Sequence, residues 1–173
     1  MKKMIGIVIL VSILWIVVGH SYEGNDTSAG TTAEVGSKAP SFTLTSLSGK
    51  TYSLSEAKGK PVVLNFWNSW CGPCKKETPE LARLYRKYKG QFQLYGINVT
   101  ADDSLGAVKL FVEDYGVNYP VLLDKSGNVS DLYNVYSRPV TYFINAKGII
   151  VGKIKGYQGA EILNKKVKAL VSQ

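Results

Sequence analysis

The run Pro61-Val62-Val63-Leu64-Asn65-Phe66-Trp67 passes through Asn68-Ser69-Trp70 directly into Cys71-Gly72-Pro73-Cys74. An almost continuous apolar run of this length predicts a central strand covered on both faces, as in α/β proteins. After Cys71 the apolar residues Leu81, Leu84, Tyr85 and Tyr88 recur at helical spacing. The two cysteines therefore stand at a strand-to-helix junction. A helix that begins at Cys71 aims unpaired backbone N–H groups, and the positive end of its dipole, at that sulfur. Such a position favours thiolate over thiol, and the thiolate is the nucleophile of disulfide exchange. Pro79 falls inside the helix and is expected to kink it, because proline removes a backbone hydrogen bond.

Cys71 and Cys74 are the only cysteines of the chain, and His20 is its only histidine. A tetrahedral structural zinc site needs four ligands, so none is expected within one chain, and no metal or cofactor is assigned to the chain. The pair is then an inert bridge or a redox-active dithiol. A bridge across so short a loop removes little unfolded-state entropy, and Cys-Gly-Pro-Cys at such a junction favours the active reading. The net charge is +8, and the part from Gly36 onward carries 19 Lys/Arg against 10 Asp/Glu, or +9. A basic balance suits nucleic acid, an anionic membrane surface or acidic partners. The lysines are scattered, as in Lys58/Lys60, Lys87/Lys89 and Lys165/Lys166/Lys168, and no dense arginine cluster appears. That argues against nucleic acid and for a solvated basic face.

Length and composition fit one globular domain with a terminal appendage. After Met1-Lys2-Lys3, the chain is apolar from Met4 to Gly19, with Ser12 the one clearly polar interruption. Lysines before this run and Glu23 and Asp26 after it predict a cytoplasmic N-terminus and an extracytoplasmic remainder. Residues 1–20 read as an uncleaved signal-anchor in preference to a cleaved signal, since no Ala-x-Ala pattern follows. Residues 21–35 are small, polar and aperiodic, a flexible tether, with the domain beginning near Gly36. Phe42-Thr43-Leu44 and Thr51-Tyr52-Ser53-Leu54, around Ser48-Gly49-Lys50, predict a hairpin. Further strands are expected over 91–99, 119–124, 140–145 and 149–154, and helices over 104–115, 128–135 and 160–171. In the first of these helices Leu105, Val108, Phe111 and Val112 are expected to face inward. This alternation makes a three-layer α/β domain.

Taken together, the chain from Gly36 onward resembles the thioredoxin superfamily, and within it the membrane-tethered TlpA/ResA-like branch. The resemblance rests on Gly36-Ser37-Lys38-Ala39-Pro40-Ser41-Phe42-Thr43-Leu44, on Asn65-Phe66-Trp67, on Trp70-Cys71-Gly72-Pro73-Cys74, on Tyr119-Pro120-Val121-Leu122-Leu123-Asp124, and on Ser137-Arg138-Pro139-Val140-Thr141-Tyr142-Phe143-Ile144. It implies a central mixed sheet flanked by helices, with an N-terminal β-hairpin and a helical insert. It makes Cys71 the nucleophilic thiol, Cys74 the resolving thiol and Glu77 the proton acceptor, with a solvated carboxylate as the alternative for Glu77. Glu80 is expected on the surface. Pro139 is expected in the cis form, shaping with Trp70, Gly72 and Pro73 the groove for an extended substrate segment. Arg138 is unusual before that proline. It would lower the Cys71 pKa or favour acidic substrates, or else point into solvent. Trp67 is expected in the core. Asn65 stands where cytosolic thioredoxins carry a buried aspartate, which leaves proton transfer to Glu77 or water.

The function implied is an extracytoplasmic thiol-disulfide oxidoreductase, acting as a monomer and as a reductase. Its partners would be disulfide-bearing exported proteins, apocytochrome c or spore-envelope proteins among them, and a membrane thiol-transporting electron donor. Two other readings stand beside it. Ala39-Pro40-x-Phe42 recurs in peroxiredoxin-like peroxidases, and a redox-inert peptide-binding module would use the same groove without the cysteines.

Overall fold

The computed structural model describes residues 33–57 and 59–173. The anchor expected over residues 1–20, and the tether up to residue 32, lie outside them. Among the described residues no helix is long and apolar enough to cross a membrane.

Strands β1 (Thr43–Thr45) and β2 (Thr51–Ser53) pair antiparallel as the expected hairpin, with Gly49 in its turn at φ +86°. That left-handed conformation is open to glycine without steric cost. The main sheet is built from β3 (Val62–Trp67), β4 (Gln93–Asn98), β5 (Val121–Leu123), β6 (Val140–Ile144) and β7 (Ile150–Lys155). Its order is β5-β4-β3-β6-β7, with β3, β4 and β5 parallel and β6 and β7 antiparallel to their neighbours. The helices are α1 (Gly72–Lys87), α2 (Leu105–Asp114), α3 (Asn128–Leu132) and α4 (Ala160–Val171). This is the mixed sheet with N-terminal hairpin and helical insert that the sequence implied.

Strand β3 is buried at every position, and period-two alternation explains how. Val62, Leu64 and Phe66 join Tyr95, Ile97, Tyr133 and Tyr142 on one face. Val63 joins Leu81 and Leu84 of α1 and Leu163, Val167 and Leu170 of α4 on the other. Asn65 and Trp67 share the face of Val63, which places a polar residue of the central strand beneath α1. The N-terminal part of the chain also meets the start of β7 and the short edge strand β5. Ser37 and Ile150 are joined by a backbone hydrogen bond beside β7, and Leu47 donates its N–H to the Val121 carbonyl beside β5.

Three expectations need correction. The packed domain reaches back to Ala33, which is wholly buried among core residues; its methyl is small enough to pack despite the polar neighbourhood. Leu105 is largely exposed rather than inward. Ser104 caps α2 by accepting the Ala107 N–H at 3.2 Å, so Leu105 is the first helical residue and the buried stripe begins at Val108. The third helix stops at Leu132, short of the expected Val135. Helix α1, by contrast, runs unbroken through Pro79.

Gly96 of β4 is fixed by close approach. A Cβ there would lie 2.8 Å from Tyr119 Cε2 and 3.1 Å from Trp67 Nε1. Both rings are buried, and Trp67 is stacked on Phe111 with centroids 4.4 Å apart. Gly96→Ala is expected to destabilise the domain by about 1–3 kcal/mol through overpacking. Denaturant unfolding of the variant beside the parent checks this, and an unchanged midpoint would refute it.

Candidate active site

The site grows out of the end of β3. Cys71 caps α1: its Sγ accepts the Cys74 backbone N–H at 3.2 Å, and Gly72 and Pro73 form the exposed first turn. The two cysteines are joined as a disulfide, with both buried and Cys74 the more so. The N–H on Sγ and the helix N-terminus are what a thiolate at Cys71 would require after reduction.

Behind the disulfide lies a ring of three buried polar side chains. Asn65 and Thr141 are register partners across β3 and β6, and Glu77 of α1 descends onto them. Asn65 Nδ2 donates to Glu77 Oε2 at 2.9 Å and to Thr141 Oγ1 at 2.9 Å. Thr141 Oγ1 in turn donates to Glu77 Oε1 at 3.1 Å. Glu77 is only 2% exposed. Burial pushes its pKa up and the Thr141 and Asn65 donors pull it back, leaving it at about 7. Desolvation penalises the carboxylate and hydrogen bonds to it oppose that penalty. The alternative of a solvated carboxylate is thereby corrected: Glu77 is a core residue. Glu80, one turn on, is partly exposed and paired with Arg83 at 2.9 Å.

The front of the site is held by two adjacent aspartates that the sequence reading did not single out. Asp103 Oδ2 accepts the Ser69 N–H at 2.6 Å and Asn98 Nδ2 at 2.9 Å; its Oδ1 accepts the Ser69 hydroxyl at 2.6 Å and the Ser104 N–H at 2.9 Å. Partial burial pushes this carboxyl up, but the donors from Ser69, Asn98 and Ser104 outweigh it and hold it below the usual carboxylate range. Asp102 is tied to both sides of the groove. Its carbonyl accepts the Trp70 indole N–H at 2.9 Å, and its carboxylate pairs with Arg138 Nη2 at 2.7 Å. Trp70 is 60% exposed beside Cys71, whereas Trp67 is core as expected.

The Arg138–Pro139 bond is cis and Pro139 is buried. Arg138 neither points freely into solvent nor stands unpaired, since Asp102 takes its charge. Pro40 and Phe42, the residues behind the peroxidase reading, have a packing role here. The Pro40 carbonyl accepts the Tyr133 hydroxyl at 2.6 Å, and the Phe42 ring meets Tyr133 edge-on.

Burial of Glu77 makes stability depend on pH. Below about pH 4.5 the carboxyl is protonated in folded and unfolded chains alike, and no penalty arises. Between about 4.5 and 7 the unfolded chain ionises first, so stability falls as pH rises. Above about 7 the loss levels off at on the order of 3 kcal/mol. Glu77→Gln is expected to lack this decline. Its stability relative to the parent should rise between pH 5 and 8 in parallel denaturant titrations, and a constant difference would refute the assignment.

With this geometry in view, the comparisons with known proteins are specific. Residues 35–153 match the AhpC/TSA family. The chain is 40% identical over 164 residues to the thiol-disulfide oxidoreductase ResA of Bacillus thuringiensis subsp. konkukian, covering 94% of each. It is 45% identical over 122 residues to ResA of Bacillus subtilis, covering 70% of this chain and 67% of that one. Among solved structures, a thioredoxin-family thiol:disulfide interchange protein from Chlorobium tepidum superposes with a TM-score of 0.71 at 27% identity, covering 82% of this chain and 97% of that one. StoA from Bacillus subtilis does so with a TM-score of 0.65 at 28% identity, covering 74% and 96%. The chain belongs to the AhpC/TSA family and is a thiol-disulfide oxidoreductase of thioredoxin-like fold, with its Cys-x-x-Cys pair at Cys71 and Cys74.

Proposed function

We propose that the protein is an extracytoplasmic, membrane-tethered reductant of disulfides in exported proteins. The observation that carries the reading is the Cys71–Cys74 disulfide at the start of α1, with the Glu77 carboxyl buried in the same helix and poised near neutrality. In the reduced protein the Cys71 thiolate attacks one sulfur of a substrate disulfide. The other substrate sulfur leaves and takes a proton, and a mixed disulfide remains. The Cys74 thiol then gives its proton to the Glu77 carboxylate, directly or through water. Its sulfur attacks Cys71 Sγ, and the second substrate thiol departs. Two electrons have passed to the substrate, and the protein is left as the disulfide described above.

Trp70, Gly72 and Pro73 form the exposed rim around Cys71. The Arg138–Pro139 loop offers backbone groups with which an extended substrate segment pairs. The basic leader and apolar run of residues 1–20 support the tether and its orientation. Disulfides persist outside the cytoplasm, so a reductant there needs electrons from across the membrane. A membrane thiol-transporting protein is the donor that fits, and apocytochrome c or spore-envelope proteins are acceptors of the right chemistry.

The reduction potential of the couple tests the direction. A value of about −270 mV or lower supports a reductase, whereas one near −120 mV would make the protein a disulfide donor. The role of Glu77 has its own test. Single-turnover resolution of a trapped mixed disulfide should accelerate with pH through an apparent pKa of about 7. In Glu77→Gln that rise should be absent and the rate at least tenfold lower at pH 8, as expected when a general base worth about 10²–10⁴ is removed. An unchanged profile would remove Glu77 from the mechanism.

A further inference from the structure

We infer that Arg138 selects substrates that carry a carboxylate side chain beside their disulfide, with Asp102 occupying that cation until such a substrate arrives. The inference rests on the exchange activity proposed above and adds a substrate class to it.

The cation sits at the edge of the groove. Arg138 directly precedes the cis proline, and among the described residues neither its N–H nor its C=O takes part in a backbone hydrogen bond. A substrate segment laid along those groups brings the side chain opposite Arg138 to a Cβ separation of about 5 Å, the ordinary cross-strand distance. Asp102 joins this edge to the opposite one. Through its carbonyl it holds the Trp70 indole, and through its carboxylate it holds the guanidinium.

The pairing with Asp102 uses only part of what the guanidinium offers. One contact is made, Nη2 to Oδ2 at 2.7 Å, while Nε is buried without an acceptor. A guanidinium is a planar fork that takes both oxygens of one carboxylate, so this arrangement leaves a buried donor unsatisfied. Asp102 is itself 55% exposed, so water can replace the guanidinium on its carboxylate, while the Arg138 side chain is 14% exposed and must turn outward to meet a new partner. An incoming carboxylate that turns the fork outward can engage Nε and Nη together, which Asp102 does not. The exchange trades a single contact for a bidentate one. The surplus of cations over the rest of the domain brings acidic segments to the surface in the first place.

The test uses three short peptides, identical except for Glu, Gln or Lys next to a cysteine held in a disulfide with glutathione. Exchange with the full-length reduced protein, and the reverse reaction of the oxidised protein with the peptide thiols, is followed at low and at molar salt. The expected result is a Glu-to-Lys rate ratio of about fivefold or more at low salt, shrinking in molar salt. Arg138→Gln should cut the ratio severalfold, to the remainder that the domain's net charge alone leaves at low salt, and Arg138→Lys should fall between that value and the parent's. Asp102→Asn should raise it. A ratio of one in the parent, or an equal ratio in parent and Arg138→Gln, overturns the inference. The Gln peptide reports separately on direction. Exchange of that peptide only from the oxidised protein would defeat the reductase reading, while the Glu-to-Lys ratio would still decide the role of Arg138.

Discussion

The buried contact between Glu77 and its two neutral donors is the interaction on which the rest of the site depends. A carboxyl at 2% exposure is pushed towards the protonated form. Asn65 and Thr141 oppose this by presenting a donor to each oxygen. A cation at either place would hold the group ionised, and an apolar pair would hold it protonated. Two neutral donors leave it near neutrality. The same logic explains why asparagine suits position 65 here. An aspartate would put two carboxyls into one ring of hydrogen bonds, and like charges so close do not ionise together.

That ring is made by backbone register rather than by local sequence. Asn65 and Thr141 are far apart in the chain and meet because β3 and β6 pair in antiparallel register. The direction of α1 from its Cys71 cap then brings Glu77 over them. At the front, the adjacent aspartates divide two tasks between them. Asp103, saturated with donors from Ser69, Asn98 and Ser104, fixes the loop that delivers Cys71. Asp102, half exposed, spans the groove between Trp70 and Arg138.

Much of this was legible in the residues. The continuous apolar run announced a strand covered on both faces, and the Cys-x-x-Cys spacing announced the helix cap. Glu77 was reached through the family resemblance, which makes it the proton acceptor, whereas the residues alone left a solvated carboxylate open. The burial of Glu77 was not legible, because helical periodicity cannot say that a charged residue faces a strand that carries one polar side chain among apolar ones. Asp102 and Asp103 escaped for a related reason. Their partners Ser69, Trp70, Asn98 and Arg138 come from three separate segments, and an Asp-Asp pair before a helix reads locally as an ordinary turn and cap. Leu105 was misread because an apolar residue at a helix start matches the stripe by spacing alone, although the Ser104 cap turns it outward.

The arrangement separates proton handling from substrate choice. The loss on ionising Glu77, on the order of 3 kcal/mol, is a large share of the 5–15 kcal/mol that typically holds a domain together. It is tolerated because the sheet around it is well packed: β3 is covered on both faces, and Trp67 is locked between Gly96 and Phe111. Strand β3, Trp67, Gly96 and Phe111 are all buried. Trp70, Asp102 and Arg138 are by contrast partly exposed and joined by single contacts. A change among them alters what the groove accepts without touching the donors that set the Glu77 pKa. A change in the β3–β6 register would alter the chemistry for every substrate alike.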